Sequence, residues 1–512
     1  MPRLRSILTV GGWTMASRVL GFLRDMLIAA LLGAGPLGDA FVVANKLPNL
    51  FRRLFGEGAF NAAFVPAFAG LMATEGKPAA QRFAEQALAV MAFWLLGLTV
   101  LAELCMPAIM ALVAYGFTGD TEKFALVVEL GRITFPYMPL ICLTALLSGV
   151  LNGLDRFAAA AAAPVVYNIT SIACMLGLLA HTSSAGHALA WGVSLSGVFQ
   201  LALVVWAVRR AGMRLHLPRP RLTPAMRTLF RRMAPGLIGA GVVQLNALVD
   251  VFIATLLPAG TNAILYFADR VNQLPLGTIG VAVGTALLPT LSRQAQSGQH
   301  GAAIATTNRA IEYALALALP ATLALLTVPG PILTVLFQRG AFTAADVALS
   351  AQALAAYAAG LPAFVLVKVL VPGFFARGDT AVPVKIGMAS VGVNLALNFA
   401  LMAPLQHLGP PLASALASWF NVAALAAVLA RRGHLAPDPT LLRAVPRMLA
   451  AGALMVIALL ALRILAYDPI AASPLWRWAG LGMIILGGLI AYGIAGQSLG
   501  AFNIRILARR RH

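Results

Sequence analysis

Acidic residues are scarce in this chain: 17 Asp and Glu among 512 residues, against 37 Lys and Arg, for a net charge of +20. Charged residues of both signs make up only 11%, while 60% of the chain is hydrophobic. A soluble domain of this length needs far more polar surface, so the composition excludes one. Cysteine is nearly absent. Cys105, Cys142 and Cys174 sit in apolar runs with no CxxC pair, which excludes a disulfide framework and leaves buried thiols. The seven histidines (His181, His187, His216, His300, His407, His434 and His512) all fall in predicted loops or tails. There is no HExxH, no P-loop and no Cys/His metal spacing, so the common hydrolase and nucleotide chemistries find no support. No soluble domain is available to bind a nucleotide. The chain is therefore expected to use no cofactor and to be no enzyme; any transport would run on a Na⁺ or H⁺ gradient or on membrane potential.

What is present is hydrocarbon. Apolar segments recur fourteen times, over about 7–33, 38–70, 84–114, 124–153, 158–181, 186–210, 232–257, 262–292, 303–337, 345–376, 382–404, 408–430, 446–466 and 474–497. The expectation is an all-α polytopic membrane protein with 14 transmembrane helices. Arg3 and Arg5 precede an apolar run that itself holds Arg18, Arg24 and Asp25, which reads as a first spanning helix rather than a cleaved signal. Basic residues gather in alternate loops, above all Arg209, Arg210, Arg214, Arg219, Arg221, Arg227, Arg231 and Arg232, and again in the tail at Arg505, Arg509, Arg510 and Arg511. The opposite loops hold little beyond Lys123 and Arg339. This asymmetry puts both termini in the cytoplasm and makes the basic tail a topology signal, not a nucleic-acid site.

An internal repeat follows. DMLIAALLGAG at Asp25 aligns with DVFIATLLPAG at Asp250, an offset of 225; Pro66 with Pro289 and Pro139 with Pro362 are both offset by 223. The halves would be an N-lobe over 1–210 and a C-lobe over 232–432, six spans each and running the same way through the membrane. A basic linker, 211–231, joins them, and 433–512 adds two further spans and the tail. Two parallel lobes with a cleft between them are a transporter plan.

The stretch from Asp39 to Pro66, DAFVVANKLPNLFRRLFGEGAFNAAFVP, is the most polar within the apolar sequence. Asp39, Lys46 and Arg53 are spaced by 7, and Glu57 follows Arg53 by 4. On one helix these make a charged stripe about 27 Å long, close to the ~30 Å hydrocarbon thickness of a bilayer. Pro48 is expected to interrupt or kink that helix. Charge at this depth is costly unless it faces a partner or a water-filled cavity. Basic residues predominate: Arg18, Arg24, Lys46, Arg52, Arg53, Arg270 and Lys368 against Asp25, Asp39, Glu57, Asp250 and Asp269. The excess points to an anionic substrate, and guanidinium forks suit phosphate oxygens. The plainer readings are an internal ion pair for Arg18 and Asp25, interface anchors for Arg52 and Arg53, and a local salt bridge for Glu57. Asp250, Asn394 and Asn398 form a further group whose oxygens would suit Na⁺ or a protonated carboxyl; a polar packing contact is the plainer alternative.

TMASRVLGFLRDMLIAALLGAG, the Asp39–Pro66 stretch, YFADRVNQLPLGTIGVAVGTALLPTLSR and VKVLVPGFFARGDTAVPVKI together resemble the MurJ (MviN) lipid II flippase family of the MATE-like MOP superfamily. The resemblance runs through essentially the whole chain, and FRRLFGEGAF is its most specific part. It implies two six-helix lobes around a cationic cavity for the diphosphate and sugar-peptide head of lipid II, with the last two helices lining a groove for the undecaprenyl tail. It also implies the bacterial inner membrane, membrane lipids as surroundings and cell-wall synthesis proteins as partners. The family's functional positions carry onto Arg18, Arg24, Asp39, Arg52, Arg53, Glu57 and Arg270, with Asp25 beside them. Arg24 and Arg270 would hold the diphosphate, Lys46 and Lys368 would add charge, and Asp39 and Glu57 would set a gate through pairs with basic residues. Family members with a described sodium site use second-lobe carboxylate and amide oxygens; Asp250 and Asn394 would match, while Asn398 stands where a carboxylate is expected. The rival readings are a MATE-like ion-coupled exporter of small molecules, a flippase of another polyprenyl-diphosphate-linked glycan, a membrane enzyme on polyprenyl phosphates and a scaffold for wall synthesis. An excess of positive charge repels cationic drugs and so argues against the first.

Overall fold

The structure, a computed structural model, describes residues 2–53 and 59–502. Glu57 and the tail arginines Arg505, Arg509, Arg510 and Arg511 lie outside the described residues. Those described are helical, with no strand among them. They divide into two compact units, Met1–Ala263 and Ile264–His512.

The first unit holds α1 (Pro2–Leu32), α2 (Pro36–Ala44), α3 (Lys46–Phe51), α4 (Ala59–Thr74), α5 (Lys77–Val113), α6 (Thr121–Thr134), α7 (Tyr137–Gly153), α8 (Ala158–Gly177), α9 (Ala185–Arg210), α10 (Pro224–Thr255) and the first turn of α11 (Thr261–Gln296). Helix α8 packs between α1 and α9, α7 lies on α9, and α2 lies on α6. Its core includes a stack of phenylalanines. Phe60, Phe64 and Phe68 recur every fourth residue along α4, and their rings, 5.1 and 5.8 Å apart, meet Phe83 of α5. The two segments that align in sequence share a local plan: α1 and α10, of 31 and 32 residues, each end in a short glycine-containing loop that starts another helix.

The second unit continues α11 and adds α12 (His300–Thr327), α13 (Pro329–Phe337), α14 (Ala344–Ala358), α15 (Leu361–Phe375), α16 (Ala381–Leu405), α17 (Gly409–Arg431), α18 (Pro439–Leu462) and α19 (Pro474–Ser498). Helices α16 and α17 form one hairpin and α18 and α19 another; α12 packs against α15 and α18. Met455, Leu459, Leu481 and Ile484 bury the α18–α19 seam against Val328 and Val335. Outside that seam Leu486, Ile490 and Ile494 are exposed, as are Phe93, Trp94 and Leu104 on α5, the pattern of helices that face lipid.

Nine stretches among the described residues are long and apolar enough to cross a bilayer, one of which, Ala381–Arg431, contains both α16 and α17. Helices α1, α10 and α11 are also long enough at ~1.5 Å per residue, but they carry charge within their length and are not among the nine.

Candidate functional site: buried charge near two helix starts

The helix that carries the charged stripe is interrupted ahead of Pro48, as expected. The chain breaks at Asn45, between α2 and α3, one turn ahead of Pro48. Proline at 48 has no N–H to give the Ala44 carbonyl, and its ring crowds that carbonyl, so the break falls there instead of at the proline. Asn49 secures the new start: its Nδ2 donates to the Asn45 carbonyl at 2.8 Å, and Arg52 Nε in turn donates to Asn49 Oδ1 at 3.2 Å. Lys46, Arg52 and Arg53 are half-buried along this turn.

Asp39 lies on the other side of the break, in the first turn of α2, and is 1% exposed. Its partner is Lys123 of α6, whose ammonium stands 2.8 Å from Asp39 Oδ2. Lys123, which the sequence suggested was a loop charge, is thus turned toward Asp39. Both carboxylate oxygens also accept backbone hydrogens: Gly260 N donates to Oδ2 at 2.6 Å and Ala263 N donates to Oδ1 at 3.0 Å. Asp39 thus caps the first turn of α11 as well as lying in the first turn of its own helix. The fit depends on Gly38, where a Cβ would overlap the Gly33 carbonyl oxygen and press on Ala263.

Arg24 and Asp25 form the second cluster. Both are buried, at 9% and 5% exposure, on α1. Arg24 Nη2 donates to Asp25 Oδ1 at 2.8 Å, and Nη1 donates to Asn168 Oδ1 of α8 at 3.0 Å. Asn168 Nδ2 donates back to the Ser17 carbonyl at 3.0 Å, and the Arg24 guanidinium lies 5.0 Å from the Tyr167 ring centre. The side chain is therefore held on several sides in a low-dielectric setting, where a guanidinium binds an anion more strongly than in water. Arg18, one helical repeat earlier, is exposed. Asp25 pairs with the adjacent Arg24.

In the second unit, Arg270 is half-buried on α11; its Nη2 donates to the Tyr266 hydroxyl at 2.9 Å, over a ring whose centre is 4.7 Å away. Asp269 accepts from Gln273 at 2.6 Å. Lys368 is exposed on α15. Asn394 and Asn398 are fully buried one turn apart on α16, where Asn398 Nδ2 donates to Asn394 Oδ1 at 2.9 Å and Asn394 Nδ2 donates to Ser414 Oγ at 3.1 Å. Asp250 belongs to the first unit and is half-buried on α10. Among the described residues no three His, Cys, Asp or Glu side chains cluster as metal ligands.

The first unit thus holds a buried guanidinium on α1 and a buried, paired aspartate on α2. A profile of the family described as "Lipid II flippase MurJ" matches residues 28–475. The chain belongs to the MurJ family. A relative from Rhizobium meliloti (strain 1021), described as a probable lipid II flippase MurJ, is 43% identical over 509 residues, covering 98% of this chain and 94% of its own. A solved MurJ in an inward closed conformation superposes with a TM-score of 0.79 at 22% identity, covering 96% of this chain and 99% of that one. An inward-facing multidrug resistance MATE transporter of the MOP superfamily matches with a TM-score of 0.66 at 14% identity, over 83% of this chain and 98% of its own. The fold is thus that of MurJ and the MATE-like transporters, and the chain is a multi-pass membrane protein. Two residues of this MurJ family member that sequence reasoning passed over are Lys123 and Asn168. The only signals were a lysine just after a capping Asp120 and an asparagine inside an apolar helix.

Proposed function

We propose that this chain carries lipid II, the lipid-linked peptidoglycan precursor, from the cytoplasmic to the outer leaflet of the bacterial inner membrane by alternating access, and that it is not an enzyme. Membership in the MurJ family carries this reading; the caged Arg24 guanidinium supplies its chemistry. Arg24 is already oriented by Asp25, Asn168 and Tyr167, so a diphosphate oxygen meets a donor whose rotamer freedom has been spent in folding. Arg18, Lys46, Arg52 and Arg53 add positive charge in the first unit, and Arg270 and Lys368 in the second. Asp39, locked to Lys123 and to the first turn of α11, acts as a gate residue, and Glu57 shares that role. The reading takes fourteen spans with both termini in the cytoplasm, α18 and α19 beside the undecaprenyl tail, and cell-wall synthesis proteins as neighbours. Membrane potential is the proposed driver; each charge moved across 100 mV is worth ~2.3 kcal/mol. Coupling to Na⁺ would draw on Asp250, Asn394 and Asn398. The test is depletion of the protein from its cells while labelled lipid II is followed across the membrane. Loss of lipid II from the outer face is expected; unchanged delivery would refute the reading.

A further inference from the structure

Three helix starts converge on one carboxylate. Asp39 lies in the first turn of α2, Lys123 in the first turn of α6, and Gly260 and Ala263 at the first turn of α11. Each helix start carries partial positive charge, and Lys123 adds a full one. Lys123 is 8% exposed, and its ammonium sits 3.8 Å from the centre of the Phe117 ring as well as 2.8 Å from Asp39. A lysine near a helix start ordinarily snorkels to water. This one is turned inward.

The backbone around it is built for the pairing. Asp120 Oδ1 accepts from the Lys123 amide at 3.0 Å and fixes the start of α6. Just before it, Gly116 packs so closely on the end of α10 that a Cβ would overlap the Thr255 carbonyl, while Gly116 N donates to Thr255 Oγ1 at 3.2 Å. The segment 114–123 therefore braces one end of the 256–260 loop through Gly116, and the other end, through Lys123, by way of Asp39.

We propose that Lys123 is a positioning residue of the flippase: it holds the Asp39 carboxylate aimed at the amides of Gly260 and Ala263, keeping that turn closed on α2. The proposal rests on the gate role given to Asp39 above. Without the ammonium, a carboxylate would be left buried with amide donors alone, and removal of one partner of a buried pair is the costly change. The lysine acts only through Asp39.

Hydrogen exchange on the full-length protein in lipid nanodiscs tests this without lipid II, so its failure is distinguishable from failure of the flippase reading. In K123M, exchange across 258–264 should quicken by about 10-fold or more while α8 is unchanged. K123R should stay close to native. D39N/K123M should exchange no faster than D39N, because both changes cut the same link. Native-like exchange in K123M, or effects of D39N and K123M that add, would overturn the proposal. Should K123M not insert, the comparison of D39N with D39N/K123M decides: equal exchange supports the link and additive exchange refutes it.

Discussion

Arg24 of α1 donates to Asn168 of α8 across 144 positions of sequence, at 3.0 Å, and Asn168 hands a second hydrogen bond back to Ser17 of α1. The asparagine thus ties the guanidinium to its own helix by way of a neighbour. A hydrogen bond to a charged group contributes about 1.5–3 kcal/mol, so its loss is a factor of roughly 10–100 in how often Arg24 is correctly placed. N168L is expected to insert at native levels and to flip lipid II about 10-fold more slowly or worse. N168D should also fail, because a second carboxylate beside Arg24 would compete with phosphate. Native rates in both variants would show that Arg24 needs no such support.

Lysine in place of Arg24 separates charge from shape. The guanidinium engages Asp25 through Nε and Nη2 and Asn168 through Nη1. An ammonium keeps the charge and loses that fixed fork. R24K is expected to keep a residual rate between those of the native protein and R24A, measured as lipid II transfer in proteoliposomes.

Gly38 tests how tightly the Asp39 junction is packed. A methyl group there would overlap the Gly33 carbonyl oxygen and force α2 away from Ala263. G38A is expected to cost on the order of 1–3 kcal/mol, as overpacking does, and to lower the thermal midpoint of the purified protein by several degrees. An unchanged midpoint would mean that α2 shifts at little cost.

The loop ahead of α16 carries a pH-sensitive pair outside the spanning segments. Arg432 Nη1 donates to Asp379 Oδ2 at 2.6 Å, and this bond, with the amides of Val382 and Ala381, holds the Asp379 carboxyl below its ordinary pKa. A depressed folded pKa stabilises the fold above the unfolded value and ceases to do so as pH falls through the folded one. Thermal midpoints taken from neutral to strongly acidic pH should show a shallow acid-side decline that D379N reduces. The effect should be small, since Arg432 is exposed.

Helical class and the MATE-like membrane fold were legible because each is a matter of apolar pattern repeated along the chain. Aspartate 25 and Asp250 open matching segments, and α1 and α10 end in matching loops. The partners were not legible. Lysine 123 lies 84 positions from Asp39, and only the packing of α6 on α2 decides whether it turns inward or out to water. The same holds for Asn168, whose role appears once α8 lies on α1. The interruption near Pro48 was legible for a local reason: proline disturbs the carbonyl four residues before it, and the chain breaks at Asn45.

The proposal that Arg24 binds the diphosphate of lipid II stands or falls on one variant. R24A, reconstituted in proteoliposomes beside the native protein and matched for the amount inserted, tests it most directly through the transfer of labelled lipid II between leaflets. R24A is expected to fold and to transfer at the rate of empty liposomes. Transfer at the native rate would contradict it.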